Sequence, residues 1–171
     1  NLKFMKAIFA FSILFFLLMI AIGQKVDIYE RPVQAERSRD FDAIHYKVSF
    51  DVDMETKTLE GENLITLSPL NDNFNRVVID AEYLIVYSVT TLEGRDLKFD
   101  QKDNQVFISL ATSYSHTDTL RLNIKYKLNK QCPGLKFIAA AATNPLMVSS
   151  DCFPNKARQW IPCYVFPIFF V

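Results

Sequence analysis

The amino-acid sequence predicts an all-β domain, a mostly antiparallel sheet or sandwich, preceded by an apolar signal helix. Apolar and polar side chains alternate strictly in several runs, and clusters of turn-forming residues separate those runs. No segment after residue 23 shows the 3.6-residue period of an amphipathic helix. Together these observations favour short strands joined by turns over a helical or mixed fold.

The clearest alternation lies between His45 and Met54. Every second residue there is apolar: Tyr46, Val48, Phe50, Val52 and Met54. This period places the apolar side chains on one face of a strand, and Thr119 to Leu128 repeats the pattern. Thr58 to Ser68 follows a polar turn, so we expect a hairpin with the first strand, in which Gly61 is a possible bulge position. Residues 76–81, 83–91, 97–99 and 105–110 supply further extended runs and bring the expected strands to about seven.

The N-terminal segment has the parts of an export signal. Lys3 and Lys6 precede an uncharged apolar run, residues 7–22, and Ala21 and Gly23 provide small residues at its end. The run is shorter than the roughly 20 residues that span a bilayer as a helix. We therefore expect residues 1–23 to be a signal peptide cleaved after Gly23, and the protein to be secreted, extracellular or periplasmic.

Two alternatives to cleavage stay open from the sequence. An uncleaved signal anchor would tether the domain to a membrane through residues 7–22, which is the one case in which we expect a membrane partner. A buried core helix is the other alternative. The polar residues 24–39 are expected to form a flexible lead-in between this segment and the β-domain.

Charge and cysteine content exclude some functions. The 19 basic and 19 acidic residues give zero net charge, and no basic stripe or basic patch with interleaved aromatic residues is visible along the sequence, so we expect no nucleic-acid partner. The three cysteines are Cys132, Cys152 and Cys163. Export would permit a disulfide, but the odd number leaves one cysteine unpaired and the sequence does not choose the pair.

The sequence contains no complete catalytic apparatus. Neither H-E-x-x-H nor G-x-S-x-G occurs, and the two histidines, His45 and His116, fall in a strand and in a turn. Asp51, Asp53 and Glu55 alternate with the apolar face of the first strand, which is typical of a solvated outer face. We therefore predict no catalytic residue and no metal ligand in this chain, and expect no cofactor within it.

One C-terminal segment has a more specific character. Asp151 to Pro167 combines aromatic residues, prolines and the run Ala157-Arg158-Gln159-Trp160-Ile161-Pro162-Cys163-Tyr164. This run resembles the A-R-x-x-F-P-C-x-D-x-P signature of the aminopeptidase N family, gluzincin zinc metallopeptidases of family M-one that include leukotriene-A hydrolase. Upstream elements resemble that family in the same order: residues 42–52, 58–62, 77–81, 85–89 and 134–137.

The resemblance implies the organisation of residues 40–167. They would form the saddle-like N-terminal β-domain of a larger enzyme, packed against a catalytic domain that holds zinc and acts on peptide substrates. Neither that domain nor its zinc motif is expected in this chain, so the fragment alone should be inert, and whether it counts as an enzyme is left open. Residues 168–171 are expected to be an anomalous tail, the result of truncation or of a wrongly predicted chain end.

The resemblance also implies one substrate-binding position. Many family members carry a glutamine before the Ala-Arg pair that helps to hold the free amine of the substrate. Asp151 stands at that position and Phe153 at the following glutamate position, while Val165 replaces the usual aspartate. A carboxylate at Asp151 can still pair with an α-ammonium group, so Asp151 is the candidate substrate-binding residue, while the sequence favours a structural turn residue at this position.

Two functions are compatible with the sequence. The first is the truncated N-terminal domain of an exported zinc-dependent aminopeptidase, which in its full-length form removes N-terminal residues from peptides. The alternative is a secreted or anchored non-catalytic β-sandwich that serves as a binding module.

Overall fold

A computed structural model describes residues 40–141 and 145–165. The expected signal segment, the lead-in of residues 24–39 and the tail of residues 168–171 lie outside the described residues. Among the residues that are described, no helix is long and apolar enough to cross a membrane.

The described residues form strands almost throughout. The strands are β1 (Phe41–Asp53), β2 (Thr58–Pro69), β3 (Phe74–Asp80), β4 (Leu84–Thr91), β5 (Lys98–Lys102), β6 (Gln105–Tyr114), β7 (Leu120–Leu128), β8 (Leu135–Ile138) and β9 (Met147–Ser150). The helical structure in this part of the chain is a short 3₁₀ turn, Lys156–Gln159. The all-β prediction is therefore confirmed, and the described strand pairs are antiparallel.

The strands form three sheets. Sheet A has four strands in the order β1-β2-β7-β4, sheet B has three in the order β3-β6-β5, and sheet C is the β8-β9 hairpin. The apolar side chains of sheets A and B form one buried cluster. Members from both sheets that are at most 2 % exposed are Leu59, Ile65, Leu67, Val89, Leu122, Ile124, Tyr126, Val77, Ile79, Val106 and Ile108. Burial of this cluster is the main stabilising contribution to the fold.

The predicted alternation is confirmed most fully in β7, whose apolar residues are all buried. In β1 the same pattern gives weaker burial: Tyr46, Val48 and Val52 are half-buried, and Phe50 is 47 % exposed. The difference arises because β1 is an edge strand of the wider sheet. Its inner face is covered by the chain that follows the 3₁₀ turn, described below.

The predicted hairpin of β1 and β2 is confirmed, but the bulge expected at Gly61 is wrong. Gly61 pairs with Phe50 in an unbroken register, and the irregularity lies between Ala43 and His45. A side chain on Gly61 would place its Cβ 2.5 Å from Cζ of the fully buried Tyr126. The glycine is therefore needed because the tyrosine ring lies against the backbone of β2.

One surface contact ties two of the predicted turns together. Asp72, in the turn before β3, accepts a hydrogen bond from Oγ of Ser115 at 2.7 Å, and its Oδ1 lies 2.8 Å from Nδ1 of His116. The hydrogen bonds from His116 and Ser115 lower the pKa of Asp72 to about 2. His116 is therefore a surface turn residue.

Gln101 joins the two large sheets where their edges meet. Its side-chain amide donates to the carbonyl of Leu84 at 2.8 Å and accepts from the amide of Val86 at 3.0 Å. Gln101 belongs to β5 of sheet B, whereas both partners belong to β4 of sheet A. The side chain therefore satisfies backbone groups at the edge of sheet A as another strand would.

We predict that Gln101→Ala lowers the free energy of unfolding by about 1–3 kcal/mol, because two backbone groups of β4 lose their partners. Urea denaturation followed by circular dichroism measures this change. Gln131→Ala, at an exposed position, is the matched control and should leave the midpoint unchanged. Equal midpoints for Gln101→Ala and the control would show that the amide does not hold the sheets together.

Candidate functional site

The candidate functional site is the segment Asp151–Val165, which we call the docking segment. It contains the 3₁₀ turn and follows the β8-β9 hairpin. The amide of Asp151 donates to the carbonyl of Gly134 at 2.9 Å, which ties its start to the beginning of that hairpin. The amide of Lys156 donates to the carbonyl of Cys152 at 3.0 Å and shapes the entry into the turn.

Asp80, at the end of β3, holds the far end of the docking segment. Its amide donates to the carbonyl of Cys163 at 2.8 Å, and the amide of Cys163 donates back at 3.0 Å. The Asp80 carboxylate accepts from the amide of Val165 at 3.2 Å and from Nε2 of Gln105 at 3.3 Å. Asp80 is only 3 % exposed. These hydrogen bonds therefore replace the ones that water would make to an exposed carboxylate.

Two residues of sheet A hold the middle of the segment. Asn63 on β2 is fully buried, and its Nδ2 donates to the carbonyl of Pro162 at 2.7 Å. The hydroxyl of Tyr46 on β1 accepts from the amide of Tyr164 at 3.0 Å. Burial raises the pKa of Tyr46 to about 12, so the hydroxyl stays neutral at physiological pH.

The 3₁₀ turn is held by Glu82, which follows β3. Nε of Arg158 donates to Oε2 of Glu82 at 3.1 Å, and Nε2 of Gln159 donates to the same oxygen at 3.4 Å. The amide of Glu82 also donates to the carbonyl of Arg158 at 2.9 Å. The Ala-Arg pair of the predicted motif therefore has a structural role in this chain, since Arg158 joins the turn to the sheets.

Aromatic contacts complete the packing of the segment. Trp160 is 9 % exposed, and its ring meets that of Phe50 edge-on with centroids 5.8 Å apart. The rings of Tyr164 and Phe41 also meet edge-on, at 5.1 Å. Such arrangements are favoured by the ring quadrupoles. The docking segment thus covers part of the inner face of β1.

Asp151 forms the exposed end of the segment. Its Oδ2 lies 2.6 Å from Nζ of Lys156, and the two side chains are 35 % and 32 % exposed. The hydrogen bond from Lys156 holds the pKa of Asp151 below its usual range. The carboxylate is therefore ionised, reachable from solvent and already paired with a primary ammonium group.

Several large apolar side chains are exposed in the β8-β9 hairpin and in the docking segment. In the β8-β9 hairpin Ile138 pairs with Met147, and Val148 is the neighbour of Met147. The exposed fractions are 38 % for Ile138, 41 % for Met147 and 36 % for Val148, and that of Phe153 in the docking segment is 71 %. Ile138 and Met147 share one face of the hairpin, whereas Val148 lies on the opposite face, as successive strand residues do. Exposed apolar side chains often mark protein–protein contact sites.

The remaining sequence candidates do not come together as a reactive site. His45 and the carboxylates Asp51, Asp53 and Glu55 are exposed along or just beyond β1. The cysteines are free thiols, and burial raises the pKa of Cys163 to about 12, which makes it a weak nucleophile at neutral pH. Among the residues that the structure describes, no three His, Cys, Asp or Glu side chains lie close enough together to hold a metal ion.

Sequence reasoning missed the residues that hold the docking segment: Tyr46, Asn63, Asp80 and Glu82. One signal was available for Asn63. It stands at an inward position of β2 between Gly61 and Ile65, where a polar side chain requires a buried partner.

We predict that Asn63→Ala lowers the free energy of unfolding by about 1–3 kcal/mol, because the buried carbonyl of Pro162 loses its donor. Hydrogen exchange should rise at residues 160–165 more than in β7. Asn75→Ala, at an exposed position of β3, is the control. Unchanged exchange across residues 160–165 in the Asn63 variant would contradict the assigned role.

The chain is similar to known peptidases in sequence. Residues 42–169 match the family model described as the Peptidase M1 N-terminal domain. Leucine aminopeptidase 2-1 of Scheffersomyces stipitis is 25% identical over 131 residues, which cover 75% of this chain and 20% of that protein. Leucine aminopeptidase 2 of Candida albicans is 27% identical over 130 residues, 74% of this chain and 20% of that protein. The chain thus spans about a fifth of the length of these relatives.

Solved structures share the fold. An M1 zinc metallopeptidase from Deinococcus radiodurans superimposes with a TM-score of 0.61 at 19% identity, covering 75% of this chain and 30% of that chain. Yeast LTA4 hydrolase in complex with bestatin gives a TM-score of 0.62 at 22% identity, covering 78% and 23%. The family model matches well over half of the chain and confirms the resemblance noted in the sequence, so the chain belongs to the Peptidase M1 N-terminal domain family.

Proposed function

We propose that this chain is the N-terminal β-domain of an exported zinc-dependent aminopeptidase, and that the catalytic domain of the full-length polypeptide packs against it. The family match over residues 42–169 carries the proposal. The leucine aminopeptidases similar in sequence and the zinc metallopeptidases similar in fold support the activity. The apolar run of residues 7–22 supports export.

The exposed apolar surface supports the partner domain. Met147 and Val148 belong to β9, which leads into the docking segment, and Phe153 belongs to that segment, which is itself held by buried hydrogen bonds. A surface of this kind is costly to leave in water. A catalytic domain of the same polypeptide that covers it would turn this rigid edge into an interdomain contact.

The residues present do not fit a zinc site. Three protein ligands with nitrogen, sulfur or oxygen donors are the usual minimum for catalytic zinc, and His45 and His116 lie in a strand and in a distant turn. His116 is in addition paired with Asp72. We therefore assign the zinc and the hydrolytic step to the catalytic domain and expect this chain alone to be inactive.

The purified chain should hydrolyse no leucine p-nitroanilide and should contain zinc well below one equivalent. Activity is measured by absorbance and metal content by atomic emission, with a full-length aminopeptidase of the family as the positive control. Zinc-dependent turnover by the chain alone would refute the proposal. Inactivity combined with failure of an added catalytic domain to bind would favour the non-catalytic binding module.

We assign to Asp151 the binding of the substrate's α-ammonium group. Its carboxylate already holds one primary ammonium, that of Lys156, and a substrate amine offers the same chemistry. It is partly exposed and lies at the start of the docking segment, directly after β9. Charge-assisted hydrogen bonds of this kind are about twice as strong as neutral ones.

In the full-length enzyme, Asp151→Ala should raise KM for leucine p-nitroanilide about tenfold or more with a smaller change in kcat, because an ammonium–carboxylate bond is lost. Asp151→Gln should have a lower KM than Asp151→Ala, since its side-chain amide oxygen can still accept a hydrogen bond from the substrate's ammonium group. Steady-state kinetics measures both parameters.

Lys156→Ala is the matched control for this test. It breaks the same ion pair but leaves the carboxylate in place, so KM should stay unchanged or fall. A rise in KM for Lys156→Ala equal to that for Asp151→Ala would show that the ion pair only supports the turn.

A further inference from the structure

The outer face of sheet B carries a basic cluster that the linear sequence does not reveal. Its members are Arg76 on β3, Lys98 and Lys102 on β5, and Phe107 and Ser109 on β6. They lie on the face opposite the buried residues of β3 and β6 and the half-buried residues of β5. The linear sequence shows no basic patch because these residues come from three strands and meet only in the folded sheet.

The ring of Phe107 organises two of the cations. The guanidinium carbon of Arg76 lies 4.7 Å from the ring centroid, and Nζ of Lys102 lies 5.5 Å from it. Cation–π contacts of this length hold a charged group in place without neutralising it. Arg76 and Lys102 are thus positioned while their charge stays available.

The strand register places a hydroxyl between the other two cations. Arg76 and Lys98 each pair directly with Ser109, one from either side. Neighbouring strands are about 4.8 Å apart, so the row spans roughly 10 Å. An arginine, a serine and a lysine in this order offer several donors to one oxyanion.

The positive charges of the cluster are only partly compensated. None of Arg76, Lys98 and Lys102 forms an ion pair with another described residue. Asp100 is the one carboxylate among the described residues lining the hollow of about 410 Å³ that they surround. Three cations against one carboxylate leave a local positive potential on a chain whose net charge is zero.

The geometry decides which kind of anion fits. A membrane surface is disfavoured, since β3, β5 and β6 carry none of the large apolar side chains that are exposed in the described part of the chain. Stacking of a nucleobase is disfavoured because the Phe107 ring already carries two cations. The open hollow, with three cations around it, instead suits a single tetrahedral oxyanion with a small group attached.

We propose that this face of sheet B binds a phosphate or sulfate monoester of about the size of a sugar. Arg76 and Lys98 pair with the oxyanion, Ser109 donates a hydrogen bond to it, and Phe107 holds Arg76 in position. The site lies on a different sheet from the ammonium-binding carboxylate of Asp151 and does not depend on the peptidase role of the chain.

NMR titration of the ¹⁵N-labelled chain tests the proposal, with glucose 6-phosphate, glucose 6-sulfate and inorganic phosphate as probes at constant ionic strength. We expect saturable shifts at residues 76, 98 and 109 and tighter binding of the two esters than of the free ion. Arg76→Gln and Lys98→Gln should each weaken binding about tenfold, because each removes a hydrogen bond to a charged group.

Lys127→Gln is the charge-matched control. Lys127 is exposed on β7 of sheet A, so this variant should bind as the wild type does. Thermal denaturation confirms that the three variants fold equally well. Absence of saturation, binding of inorganic phosphate alone, or equal weakening by Lys127→Gln would overturn the proposal.

Discussion

The hydrogen bonds that Asp80 and Asn63 make to the docking segment are the constraint on which the rest of the structure depends. Sheet A has one strand more than sheet B, so the inner face of β1 needs another cover. The docking segment supplies it through Trp160 and Tyr164. A loop can lie over a sheet only if its backbone groups find partners, and the side chains of Asn63 and Asp80 meet that requirement from inside the strands.

The docking segment has a buried inner face and a solvent-exposed outer end. Its inner face is fixed by the buried bonds and by the pair of Arg158 with Glu82. Its outer end presents Asp151 and Phe153 to solvent. Functional groups are positioned best on a rigid support. A segment anchored at both ends can therefore offer a carboxylate and an apolar contact to a partner domain at a fixed place.

Prediction succeeded where the signal was local. Alternation identified β1 and β7, the extended character of residues 58–68 indicated β2, and the turn residues marked their ends. Prediction failed at Gly61, because a glycine in a strand indicates either a bulge or the close approach of another group to the backbone. Only the position of the Tyr126 ring distinguishes these two possibilities. The anchors Asn63, Asp80 and Glu82 were missed because their partners follow about 75 to 100 residues later in the chain.

The sequence by itself determined that the chain forms β-strands, which strands form the first hairpin and which family the Ala-Arg motif indicates. Those features depend on residues close together in the chain, where period and turn chemistry act directly. Only the tertiary structure decided that the strands divide into sheets A, B and C, and that Arg76, Lys98 and Phe107 share one surface. The physical reason is that sheet order and register arise from packing between distant segments, and one shift in register moves every side chain to the other face.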